Sequence, residues 1–134
     1  MTHFDCSLQV FEVTLGENII GIAQSLDVEK HVMPLNTLRA GQHMVVTQSD
    51  TITLKVLMTR EQKALYAVMQ RLMKDLKLSI DMHNEGKILI QGKPFLPEET
   101  LKAFAEKKHP DNEVEFIFEG AQLSIMKERK HVKA

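Results

Sequence analysis

Tryptophan is absent from this 134-residue chain, and tyrosine and cysteine occur once each. A lone cysteine, Cys6, excludes an internal disulfide framework. With Tyr66 and six phenylalanines as its whole aromatic complement, the chain lacks a set of exposed rings on which single-stranded bases could stack. No apolar run approaches the roughly 18 residues of a membrane span, so no membrane partner is expected. Met1 to Cys6 carries neither the basic nor the apolar region of a secretory signal, which sets the expected location as cytoplasmic. Catalytic signatures are missing too: there is no G-x-S-x-G, no phosphate-cradling glycine loop and no G-x-G-x-x-G. The six histidines, His3, His31, His43, His83, His109 and His131, are scattered without the spacing of metal ligands. Neither a metal nor a cofactor is therefore expected.

What is present is an ordinary globular composition, 43% hydrophobic and 26% charged, with a formal net charge of -1. That charge is unevenly placed. Residues 1–50 hold Lys30 and Arg39 against six acids, a net of -4, whereas 15 basic and 12 acidic side chains leave the remainder at +3. The acid pairs Asp27 with Glu29 and Glu98 with Glu99 are neighbours in sequence only. Acid–base catalysis needs carboxyls in environments that split their pKa values, and adjacent acids at a helix start complement its free N–H groups instead. The expectation is a protein that is not an enzyme.

Two modules are expected, 1–50 and 51–134. In the first, Leu8 to Thr14 reads as a strand, and Glu17-Asn18 opens a helix carrying Ile19, Ile22, Ala23 and Leu26 at helical spacing until about Asp27. Pro34 blocks a long second helix, Gly41 marks a turn, and Met44 to Thr47 returns as a strand. In the second, Ile52, Leu54 and Val56 alternate as a half-buried strand. Thr59 and Gln62 have capping-box spacing, and Leu65, Met69, Leu72 and Leu76 predict an amphipathic helix over about 60–77 with that stripe inward. A hairpin through His83-Asn84-Glu85-Gly86 follows, then a helix behind Pro97 that stops before Pro110. A second hairpin turns at Glu119-Gly120, with Val114, Phe116 and Phe118 on one arm and Leu123 and Ile125 on the other. The fold class is α+β: a small β-α-β unit followed by a β-α-β-β-α-β-β unit with two helices on one face of an antiparallel sheet. Met44, Met58, Met69 and Met73 are expected to pack in the core.

The order Phe11-Glu12-Val13-Thr14-Leu15-Gly16-Glu17-Asn18-Ile19, then Ile22-Ala23, Leu26 and Leu38-Arg39-Ala40-Gly41-Gln42-His43-Met44-Val45-Val46, resembles a LysM module over about residues 9–48. That resemblance implies a shallow groove for N-acetylglucosamine-containing glycans, formed by Leu15, Gly16, Glu17 and Asn18 with Leu35, Asn36 and Thr37. A structural or protein-binding use of the same module, in a virion or an envelope assembly, is also compatible with it. Residues 59–130 are similar, in order of elements, to the double-wing DNA-binding domain of a phage transcription activator. This similarity implies an alternative nucleic-acid surface of Lys87, Gln91, Lys93, Lys127, Arg129 and Lys130. The expected function is a non-catalytic binding or adaptor protein whose ligand is a glycan or a protein partner, with a DNA-binding regulator as the alternative.

Overall fold

Nine strands and two helices make up the described part of the chain, which in this computed structural model comprises residues 2–5, 10–30, 35–39, 42–73, 76–83 and 86–128. The strands are β1 (Thr2–Asp5), β2 (Glu12–Leu15), β3 (Asn18–Lys30), β4 (Leu35–Arg39), β5 (Gln42–Met58), β6 (Lys77–Asp81), β7 (Lys87–Gln91), β8 (Asn112–Glu119) and β9 (Gln122–Glu128). The helices are α1 (Arg60–Leu72) and α2 (Glu98–Ala105). The class is α+β, but the first fifty residues differ from the expected β-α-β.

Where a helix was expected from Glu17 to Asp27, the chain forms β3. Leu15 pairs with Asn18 across a two-residue loop in which Gly16 sits at φ 65, and Gly16 is the only residue of that loop with positive φ. Those are the features of a II′ hairpin turn, which takes glycine first. The helical spacing has a physical source. β3 is irregular at Ile20 and again at Gln24, where the registers with β2 and β5 shift. Each extra residue resets the two-residue alternation, so the buried Ile20, Ala23 and Leu26 fall three apart, as they would on a helix. The β-branched Ile19, Ile20 and Ile22 favour the strand. The β-α-β order that the LysM resemblance implies is thus replaced by a β-hairpin.

β5 runs unbroken through the boundary expected at residue 50. It pairs with β4 and β9 along residues 42–48, and with β3 and β8 beyond them. Gln48 faces Gln122 and Thr51 faces Glu119, so β8 and β9 keep one register along β5 and run past it in the same direction. Among the described residues they do not pair with each other, and the expected hairpin at Glu119-Gly120 is instead a kink. Buried positions are Val114, Phe116 and Phe118 before it, and Ala121 and Leu123 after it. This one-residue change of phase is carried by Gly120 at φ 64. The other expected hairpin does form: β6 and β7 pair from Asp81–Lys87 to Lys77–Gln91.

All pairings are antiparallel, and six of the strands close a cycle: β3–β2–β6–β7–β9–β5 and back to β3. One apolar cluster draws on both expected modules, with Val13, Leu26, Ile52, Leu78, Phe104 and Phe116 all buried in it. Met58 is in this core, with Met69 and Met73 packed against it. The helices add Tyr66, whose ring meets Phe116 edge-on at 5.0 Å, and Phe104.

Two positions test this geometry. A Cβ at Gly21 would lie 2.4 Å from Val56 Cγ1 and 2.6 Å from the Leu57 carbonyl oxygen, so Gly21→Ala should cost about 1–3 kcal/mol in urea denaturation. α2 ends in a Schellman motif, with Lys108 N–H donating to the Ala103 carbonyl and Lys107 N–H to that of Phe104. Lys107 occupies the left-handed position at φ 58, so Lys107→Gly should raise the urea midpoint, by about 0.5–1 kcal/mol of stability.

Candidate functional site

Helix α1 begins as the sequence indicates, since Gln62 N–H donates to Thr59 Oγ1 at 3.2 Å and Thr59 N–H to Gln62 Oε1 at 2.9 Å. Its roll is the reverse of the expected one. The stripe turned inward is Lys63, Tyr66, Ala67 and Gln70, while Leu65, Val68 and Leu72 are 36%, 54% and 81% exposed. Of the stripe expected inside, only Met69 on the helix and Leu76 beyond it pack on the core. Ile19, at the start of β3, is also exposed, next to Asn18, whose side-chain amide reaches Met69 Sδ at 3.7 Å.

Lys63 explains the roll. It is 1% exposed, and its Nζ donates to the Pro110 carbonyl, to Asn112 Oδ1 and, at 2.6 Å, to His109 Nδ1. Three N–H bonds thus meet three acceptors on the segment after α2 and at the first residue of β8, while the ammonium lies 5.5 Å from the centroid of the Phe104 ring. The Arg60 backbone N–H donates to Asp111 Oδ1 at 2.7 Å and fastens the same segment to the first turn of α1. Burial lowers the Lys63 pKa, the nearby Asp111 carboxylate acts against that, and Arg60 adds to it. Enclosed and fully bonded, this amine is a brace for α1 and is not open to a substrate.

Accepting from Lys63 requires a neutral His109 with its proton on Nε2. Its pKa is lowered by burial first and by the Lys63 charge second. Its ring stands edge-on to Phe104, 4.9 Å between centroids.

At the far end of α1, Gln70 is buried, and its amide makes one long bond, 3.4 Å, to the Ala67 carbonyl. It lines an open cleft of about 640 Å³ against α2, with Arg71, Lys93, Glu98, Leu101, Lys102, Ala105 and Glu106. The cleft is of mixed sign. Glu106 is engaged by Lys108 at 3.0 Å, and that hydrogen bond holds its carboxyl below the usual range.

The residues expected to hold a glycan lie on separate elements. Gly16, Glu17 and Asn18 form the exposed tip of the β2–β3 hairpin. Leu35, Asn36 and Thr37 lie in β4, where only the backbone is described. Ile22 of β3 faces Leu57, whereas Leu35 faces Val46, which is about 36 Å further along β5 at 3.3 Å per residue. Of the nucleic-acid set, Lys87 and Gln91 are exposed at the two ends of β7 and Lys93 is in the cleft. Lys127 lies in β9 with its side chain outside the described residues, as are Arg129 and Lys130 entirely. The outer face of the sheet beside them is acidic. Glu113, Glu115 and Glu119 of β8 are exposed; the row of Glu119 continues through Thr51 to Glu29 of β3, that of Glu115 through Lys55 to Ser25, and Asp27 stands on the row of Thr53 and Ile117.

Glu98 and Glu99 occupy the first turn of α2, as expected of helix-start acids. Among the described residues no three His, Cys, Asp or Glu side chains converge as metal ligands, and no helix is long and apolar enough to cross a membrane. No protein-family model, curated protein or solved structure matches this chain.

The Lys63–His109 contact gives stability a pH dependence of definite sign. With the folded-state pKa of His109 below its ordinary 6.5, the unfolded chain takes up a proton that the folded chain refuses, so stability is kept above about pH 6.5 and lost below it. Urea midpoints should fall between pH 7.5 and 5.5, and His109→Gln, which keeps an acceptor for Lys63, should flatten that fall.

Proposed function

We propose that this is a non-catalytic binding protein whose partner is another protein, engaged through the outward face of α1. One observation carries the reading: Leu65, Val68 and Leu72 form an apolar stripe at intervals of three and four on the solvent side of a capped helix. Scattered exposed leucines need no explanation, but a contiguous helical stripe is the usual anchor of helix-mediated docking. The side chains on the other face of α1 already hold the helix in place, so the outer stripe is surplus to the fold. The enclosed Lys63 and the lack of a converging ligand set among the described residues favour binding over chemistry. The acidic outer face of β3, β5 and β8 weighs against nucleic acid, and the distance along β5 between the β2–β3 tip and β4 weighs against a glycan groove.

The double variant Val68→Lys/Leu72→Lys should keep its folding stability within about 0.5 kcal/mol of wild type, as surface substitutions do. On an affinity column it should lose the proteins that wild type retains. Retention of the same proteins by both would overturn the reading.

A further inference from the structure

We propose that the cleft between α1 and α2 is a site for a nucleoside monophosphate, separate from the outward face of α1. Its volume of about 640 Å³ lies within the roughly 300–1,000 Å³ of small-ligand sites. Two subsites of different kind meet in it.

The first is neutral. Among the described residues α1 buries two polar side chains, Lys63 and Gln70, and only Lys63 has every donor met from within the chain. The Gln70 amide, in a residue 8% exposed, gives one N–H to the Ala67 carbonyl at 3.4 Å. Its second N–H and its Oε1 have no partner among the described residues. A side chain so enclosed turns what it has left toward the cleft it lines. A free donor beside a free acceptor is what a glutamine offers to the edge of a nucleobase, which it bonds in both directions at once. Leu101 and Ala105 of α2 supply an apolar wall for the face of the same ring.

The second subsite is cationic. Lys108 occupies Glu106 at 3.0 Å, and Glu98 stands one helical turn before Lys102 on α2. Arg71 at the end of α1 and Lys93 after β7 are then the cations left over; both are exposed, and neither forms an ion pair among the described residues. Together they match the charge of a phosphate monoester, which is between one and two negative, and the Arg71 fork suits its oxygens. The segment that carries Lys93 is held on both sides: Gly92 N–H donates to the Leu76 carbonyl at 3.0 Å, and Phe95 N–H to that of Ile117 at 2.7 Å. With no aromatic ring among these lining residues, affinity is modest and rests on both subsites together.

Isothermal titration calorimetry of the full chain with AMP, GMP, CMP and UMP tests this, with ribose 5-phosphate, inorganic phosphate and citrate for comparison. At least one nucleotide should bind about tenfold or more tighter than ribose 5-phosphate, and added salt should weaken it. Gln70→Leu should bring that nucleotide down to the level of ribose 5-phosphate and leave ribose 5-phosphate unchanged. Arg71→Glu and Lys93→Glu should each weaken both by about tenfold. These two positions are exposed, so thermal unfolding of the charge variants should stay close to wild type, and their result stands even where Gln70→Leu fails to fold. No heat from any nucleotide at millimolar concentration, a nucleotide held no tighter than ribose 5-phosphate or citrate, or binding indifferent to both charge reversals would overturn the site. An equal loss of nucleotide and ribose 5-phosphate in Gln70→Leu would overturn the pairing of Gln70 with the base.

Discussion

Everything in this fold hangs on β5. Its 17 residues are paired on both edges along most of their length, with β3 and β4 on one and β8 and β9 on the other. No cut near residue 50 leaves two sheets, because each half of β5 borrows strands from before and after it. The close approach at Gly21 and the kink at Gly120 are the local adjustments that let such a long strand be shared. The cycle through β2, β6, β7 and β9 then closes around the apolar cluster without leaving a seam between modules.

Against this sheet, the orientation of α1 is settled by a charge. A lysine can lie inward only where its three donors are met, and the segment from His109 to Asn112 meets them while the aliphatic stem adds to the packing. Once Lys63 is seated, the 3.6-residue period of the helix decides the rest. Tyr66, Ala67 and Gln70 follow it inward, and Leu65, Val68 and Leu72 are carried to the outside. The exposed stripe is the geometric counterpart of a buried ammonium.

Much of the second half could be read from sequence, because its signals are local. The Thr59–Gln62 cap, the β6–β7 alternation and the Pro97-Glu98-Glu99 helix start each fix their element within a few residues. β3 has the apolar spacing of a helix because two irregularities interrupt its alternation, although Gly16-Glu17 between two apolar runs is a hairpin signal. At β8 and β9 a glycine after an acid suggests a turn, while only the register with a strand some seventy residues earlier shows that the chain goes straight on. The roll of α1 could not be read from hydrophobicity, since the more polar stripe is the one inside. A lysine four residues after the N-cap gives no hint of acceptors that lie 46 to 49 residues downstream.

The registers of β5 also order events in time. The strand is made early, yet its partners β8 and β9 are the last of the described elements, so Gln42 waits for Glu128. Until then one edge of a long, alternately apolar strand has no mate, and the core lacks Phe116, Phe118 and Leu123. Topologies dominated by such distant pairings fold slowly and expose sticky edges on the way. This chain should therefore gain its native structure in one late step once β9 is available, and a fragment ending before β8 should aggregate.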